Sequence, residues 1–239
     1  TTAALFRPAP SRQRARAPAS EAQDLMSAVV EPDHLVLAAR DLDAGAAWLE
    51  SLLGVKLAQG GKHARMGTHN RLLGLGDNFY LELIAIDPDA VAPGRPRWFG
   101  LDRTDLPADR PRLIHWVARS GDIEADAARS AEPPGEILPM ERGDYRWRIT
   151  VPADGHLPGE GLVPTLIQWD VPFHPGGRLP DAGCRLMKLE GFHPHPARIG
   201  NALAALGLSA RLDVHRCAAG EPAQLVAYLR TPAGLKELD

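Results

Sequence analysis

The 239-residue chain is 44% hydrophobic and 24% charged, with 23 glycines and 22 prolines, which excludes collagenous, disordered and disulfide-stapled classes and predicts a soluble globular protein. A formal net charge of -3 argues against a nucleic-acid partner or an anionic membrane surface, and the apolar runs are far too short to span a bilayer. Cys184 and Cys217, the only cysteines, can build neither a disulfide framework nor a zinc ribbon; they predict a reducing, cytoplasmic setting, although the two are free to pair.

In chain order, residues 1–28 carry Arg7, Arg12, Arg14 and Arg16 among alanine, proline and serine, without an apolar core of signal-peptide length. They predict an arm, and leave open upstream sequence before a start at Met26 or an organellar presequence. Residues 34–39 read as a strand, and Asp41-Leu42-Asp43 supplies N-cap chemistry for a helix. Ala47, Trp48, Leu52 and Leu53 are its expected apolar stripe, and Gly54 its stop. Strands are expected over 55–59, 68–75 and 79–86, completing a β-α-β-β-β unit.

That unit recurs. Sliding the chain by 81 residues places His34 on His115, Val36 on Val117, and the Asp41 helix start on Asp122. At a slightly larger offset Tyr80-Leu81-Glu82-Leu83 falls on Leu166-Ile167-Gln168-Trp169, which makes Glu82 and Gln168 equivalent. Chance matching of alanine-rich helices explains the helix match better than it explains the two histidines. The modules are expected at 29–90 and 112–172, joined by a proline-rich connector over 91–111. Residues 173–239 read as a degenerate third module in which Met187 replaces the histidine.

His34, Glu82, His115 and Gln168 stand out because each lies within an apolar strand, where a buried carboxylate is expensive unless paired or bound to a cation. Taken singly, each is more simply a satisfied core histidine or an outward-facing polar residue; the symmetric recurrence favours a shared site. Two imidazoles, a carboxylate and an amide brought together by pseudo-twofold pairing suit a divalent metal with open positions. Thr68 and Asn70 share one strand face. Arg146 and Arg148 alternate with Tyr145 and Trp147, so one pair faces inward; inward arginines would suit a carboxylate or phosphate, while the plainer alternative is a solvated arginine face with Trp147 in the core. His193 and His195 are flanked by prolines and read as a helix-entry loop. Dinucleotide, Walker and nucleophile-elbow signatures are lacking.

With Asp33-His34, Gly60-Gly61-Lys62-His63, Gly67-Thr68-His69-Asn70, Tyr80-Leu81-Glu82 and 164–169, the sequence resembles the vicinal oxygen chelate superfamily, and within it the glyoxalase-like domain family. The resemblance covers roughly residues 32–171. It implies an α+β fold in which paired βαβββ modules form a cupped eight-stranded mixed sheet, here with an additional degenerate C-terminal βαβ-type module. It implies His34, Glu82, His115 and Gln168 around a divalent metal (Zn, Ni, Co or Mn, Fe less so), with His63, Thr68 and Asn70 against a small-molecule substrate; the strand alternation adds Arg148 to the expected substrate contacts. Gln168 stands where many relatives carry a glutamate base; an amide cannot take that role, so Glu82 becomes the expected catalytic base. The implied activity is that of a metal-dependent lyase or isomerase on a small oxygenated metabolite. A non-haem Fe(II) dioxygenase and a metal-free sequestering protein are the alternatives, and a homodimer is compatible with all of them.

Overall fold

The computed structural model describes residues 29–103 and 105–239, so the expectations for segment 1–28 lie outside the described residues. The first unit comprises β1 (Glu31–Ala38), α1 (Leu42–Leu53), β2 (Ala58–His63), β3 (Thr68–Gly74) and β4 (Tyr80–Ile86). The second comprises β5 (Arg112–Arg119), α2 (Ile123–Arg129), β6 (Glu136–Arg142), β7 (Tyr145–Val151) and β8 (Thr165–Trp169).

Local chemistry explains why both halves start alike. The Asp41 carboxylate accepts from Ala44 N at 2.7 Å and the Asp122 carboxylate from Ala125 N at 3.1 Å, each satisfying an orphan donor of the helix start. Gly54 ends α1 in the left-handed region, with its N–H on Glu50 O. The buried stripe of α1 is Leu42, Ala46, Leu49 and Leu53; Ala47 is exposed and Trp48 half-buried, so the helix is rotated from the expected face. Asp41→Ala and Asp122→Ala are each expected to cost about 1 kcal/mol of stability. Urea denaturation of the two variants measures it, and unchanged midpoints would show that the caps are dispensable.

The strand order is β2-β3-β4-β1-β5-β8-β7-β6, so the two modules mirror one another across the β1–β5 seam. In both, the first strand runs parallel to the fourth, β1 with β4 and β5 with β8. Period-two alternation divides the core. Leu35, Leu37, Leu81, Leu83, Trp116 and Leu166 pack with Leu49 and Leu53 on the helix side, whereas Val36, Ala38, Ile84, Val117 and Ile167 fill the concave face. Burial on both faces accounts for the near-continuous apolar runs.

After a short helix α3 (Pro175–Arg178), the remainder forms β9 (Arg185–His193), α4 (Pro196–Ala205), β10 (Asp213–Arg216), β11 (Gln224–Thr231) and β12 (Gly234–Leu238). β9 and β10 are parallel, with α4 as the crossover, in a sheet ordered β10-β9-β11-β12. This is a βαβ unit with a different ladder, because its first strand lies between β10 and β11 instead of pairing with its last. Leu189, Leu203, Leu225 and Leu229 join the helix-side core. No described helix is long and apolar enough to cross a membrane.

Candidate functional site

The concave face collects a buried polar cluster. Val36 on β1 pairs with Glu82 on β4, and His34 lies two residues away on the same face. His34 Nε2 stands 3.6 Å from Glu82 Oε2, an ion pair longer than a hydrogen bond. His34 Nδ1 bonds Asp33 Oδ1 at 2.6 Å. Neighbouring strand residues normally face opposite ways, but the β1–β5 register slips between Pro32 and His34, and this bulge goes with Asp33 and His34 meeting side by side. The other oxygen, Asp33 Oδ2, accepts from Trp169 Nε1 at 3.0 Å and bonds His174 Nε2 at 2.8 Å. Tyr80 stacks on the His34 ring at 4.6 Å.

Asn70 connects the cluster to the second module. Its Nδ2 donates to Glu82 Oε1 at 2.5 Å, and its Oδ1 accepts from Gly61 N at 2.8 Å and from an Arg142 guanidinium nitrogen at 3.1 Å. The same guanidinium nitrogen donates to His63 Nε2 at 3.2 Å, which leaves His63 Nδ1–H to bond Thr68 Oγ1 at 3.1 Å.

Charge follows from these contacts. Burial opposes the imidazolium of His34, but the carboxylates of Asp33 and Glu82 overcome it and raise His34 to about 9. Burial likewise opposes ionisation of Glu82; the hydrogen bonds and positive charge around it, His34 foremost, bring it down to about 2. Asp33 is held below the usual carboxylate range by His174 and His34 against the same burial. Burial pushes His63 down to about 4, with Glu82 opposing and Arg142 reinforcing. The site is therefore an Asp33–His34–Glu82 row of alternating charge beside a neutral His63.

The other expected site residues are placed differently. His115 lies on the concave face, but Nδ1–H donates to Gly161 O at 3.0 Å and Nε2 accepts from Thr165 N at 3.1 Å, with Thr165 Oγ1 at 3.0 Å. Both ring nitrogens are occupied, and burial lowers its pKa to about 4. Gln168 faces the helix side, where its Oε1 accepts from Ile123 N at 2.8 Å. The ladder explains why: Val36 pairs with Glu82 and the equivalent Val117 with Thr165, so Thr165, not Gln168, is the counterpart of Glu82. Arg148 also turns outward, to Glu124 Oε1 at 2.5 Å and Asp170 Oδ1 at 3.2 Å, while Trp147 takes the inner face.

As folded, these side chains do not fit a metal centre ligated by His34, Glu82, His115 and Gln168. Among the described residues no group of three His, Cys, Asp or Glu side chains is placed to hold an ion. His34 and Glu82 alone face a common point, and the fixed guanidinium of Arg142 adds positive charge nearby.

The fold brings together His34, Glu82, His63, Thr68 and Asn70 from the expected set and adds Arg142, His174 and the partner role of Asp33, which the sequence does not mark. Arg142 lies 72 residues from Asn70 in sequence and joins the site only through the second module, so no local spacing marks it. With Trp98, Phe99, Trp147 and Trp169 as aromatic walls, the cluster lines a chamber of about 30 Å³. It shares His63 and Trp147 with a pocket of about 590 Å³, and Leu72 and Arg142 with a cleft of about 420 Å³. A separate cavity of about 630 Å³, lined by Leu113, Phe192 and Leu225, contains none of the chamber residues.

Two mirrored βαβββ modules around one polar cup define a protein of the vicinal oxygen chelate class. The model of the glyoxalase-like domain matches residues 33–207, and the chain belongs to that family. Among solved structures it is similar to a hypothetical protein from Staphylococcus aureus (12% identity, TM-score 0.59, covering 88% of this chain and 99% of that one). A weaker likeness is to a methylmalonyl-CoA epimerase from Mycobacterium tuberculosis (18% identity, TM-score 0.39, 62% of this chain and 94% of that one). No curated protein matches.

Proposed function

We propose that the chain acts on a small oxygenated molecule in the cup as a lyase or isomerase, with Glu82 accepting a proton from carbon next to a carbonyl. The observation that carries this reading is the buried Glu82 carboxylate, held ionised with Oε1 fixed by Asn70 and Oε2 facing the cationic His34. Geometry is the first requirement of a general base and pKa the second; lowered to about 2, Glu82 is a weak base and depends on stabilisation of the charge that develops on the substrate. When it takes the proton, negative charge grows on the substrate oxygen, and the His34 imidazolium Nε2–H is the adjacent donor to stabilise it. Asp33 orients that ring through Nδ1. The adjoining spaces of about 590 and 420 Å³ are of small-molecule size, which supports a ligand larger than the chamber itself.

The test follows solvent deuterium exchange by NMR into a panel of 2-hydroxy and 2-oxo compounds. The wild-type protein is expected to exchange one carbon-bound proton, and Glu82→Gln to slow this by about 10²–10⁴. Exchange unchanged in the variant sinks the base assignment, and binding without exchange favours a sequestering protein.

A second reading is a divalent ion (Zn, Ni, Co or Mn), for which His34 and Glu82 alone of the four expected ligands would be available as folded. One observation favours it: an imidazole whose other nitrogen is held by a carboxylate is the usual setting of a metal-binding histidine. Elemental analysis of the purified protein decides between them. Iron with oxygen uptake would favour the dioxygenase alternative instead.

A further inference from the structure

Arg142 and Arg178 are charged groups that the reading above does not use. Arg142 reaches the neutral Asn70 and His63, and among the described residues neither arginine forms an ion pair with a carboxylate. Their guanidinium carbons stand 5.9 and 5.6 Å from the centre of Tyr145, and that of Arg178 also stacks over Phe173 at 3.5 Å. Together they line the cleft of about 420 Å³, whose one carboxylate, Asp144, pairs with neither. Two cations against one anion leave that cleft net positive.

The opposite wall is shaped for this arrangement. The β2–β3 register slips by one residue between Gln59 and Lys62, so that Gly60 and Gly61 together oppose Asn70. A Cβ on Gly61 would stand 2.6 Å from Arg142 Cδ, and one on Gly60 would stand 2.0 Å from Asn70 Oδ1. The absence of side chains at both positions is what lets Arg142 lie over β2 with its head on Asn70.

We propose that this cleft is an anion-binding subsite that takes the carboxylate or phosphate group of the molecule acted on in the chamber. The inference rests on the acid–base reading of that chamber and names its substrate class, an oxygenated molecule with an anionic end. Arg142 and Leu72 form the wall common to cleft and chamber, so an anion on Arg142 places its adjoining carbons toward Asn70 and Glu82. Arginine suits the role because its planar donors match the paired oxygens of either anion.

The experiment titrates the full chain with inorganic phosphate and, separately, with glycolate, at a constant ionic strength of about 0.15 M. It follows the arginine Nε–H signals by NMR, assigned with Arg142→Lys and Arg178→Lys. Saturable shifts of both arginine signals are expected, with affinity falling about tenfold or more in Arg142→Gln and Arg178→Gln. Gly61→Ala keeps every charge yet displaces Arg142, and is expected to weaken binding similarly. A response to phosphate alone or to glycolate alone supports the subsite and identifies the anion. No saturable shift with either probe, or wild-type affinity in the exposed Arg178→Gln variant, overturns it. The probes are also titrated into Glu82→Gln, where lost exchange with saturable arginine shifts retained separates the exchange chemistry from the subsite.

Discussion

Asp33→Ala is expected to destabilise the protein by about 3–5 kcal/mol, the range for removing one partner of a buried ion pair. The carboxylate is fully buried and serves His34, Trp169 and His174. Its removal orphans a ring nitrogen of the buried His34, which carries the full desolvation cost, and takes a partner from the half-buried Trp169 and His174. It also shifts titration. Without Asp33, burial acts on His34 opposed chiefly by Glu82, so the pKa falls from about 9. The Glu82 carboxyl rises in turn as its cationic neighbour is lost. Urea unfolding gives the first effect and histidine ring NMR the second. A stability loss below about 1 kcal/mol, the worth of a single ordinary hydrogen bond, would show that Asp33 is not the anchor of the row.

Stability is expected to peak near pH 6.5 and to fall on both sides, because the buried histidines are shifted in opposite directions. His34 is raised from 6.5 to about 9, so its contribution is fully present below pH 6.5 and is lost as pH rises through 9. His63 and His115 are lowered from 6.5 to about 4, so the unfolded chain binds more protons than the folded one between those values. Their contribution is present above pH 6.5 and is lost as pH falls through 4. Glu82, lowered from 4.5 to about 2, adds to the acid loss below pH 4.5. At about 1.4 kcal/mol per unit, each histidine can withdraw on the order of 3 kcal/mol. Unfolding free energies measured across pH check the profile; a flat line between about pH 5 and 8 would falsify the assignment of opposed shifts. His115→Gln is expected to soften the acid limb and leave the alkaline limb in place.

The modules and much of the cup are legible in local chemistry. Caps and periodicity are local, so Asp41 and Asp122 mark equivalent helix starts in any tertiary setting. Polar residues inside apolar strands are costly, and this makes His34 and Glu82 legible as a pair that must meet. Face and partner depend on how the strands pair in the folded sheet. A strand has period two, so a misplacement of one residue exchanges its faces. The residues flanking Gln168 resemble those flanking Glu82, yet the β5–β8 ladder puts Thr165 in that position and turns Gln168 to the N-terminus of α2. The same rule sends Arg148 outward and Trp147 inward. His115 is on the expected face, but the backbone of Gly161 and Thr165 occupies both its nitrogens, and backbone approach leaves no mark on residue type. Arg142 reaches Asn70 from the other module, and Asp33 reaches His34 through a bulge. Long-range pairing and a one-residue slip in register are settled by how the whole sheet closes, which no stretch of sequence encodes alone.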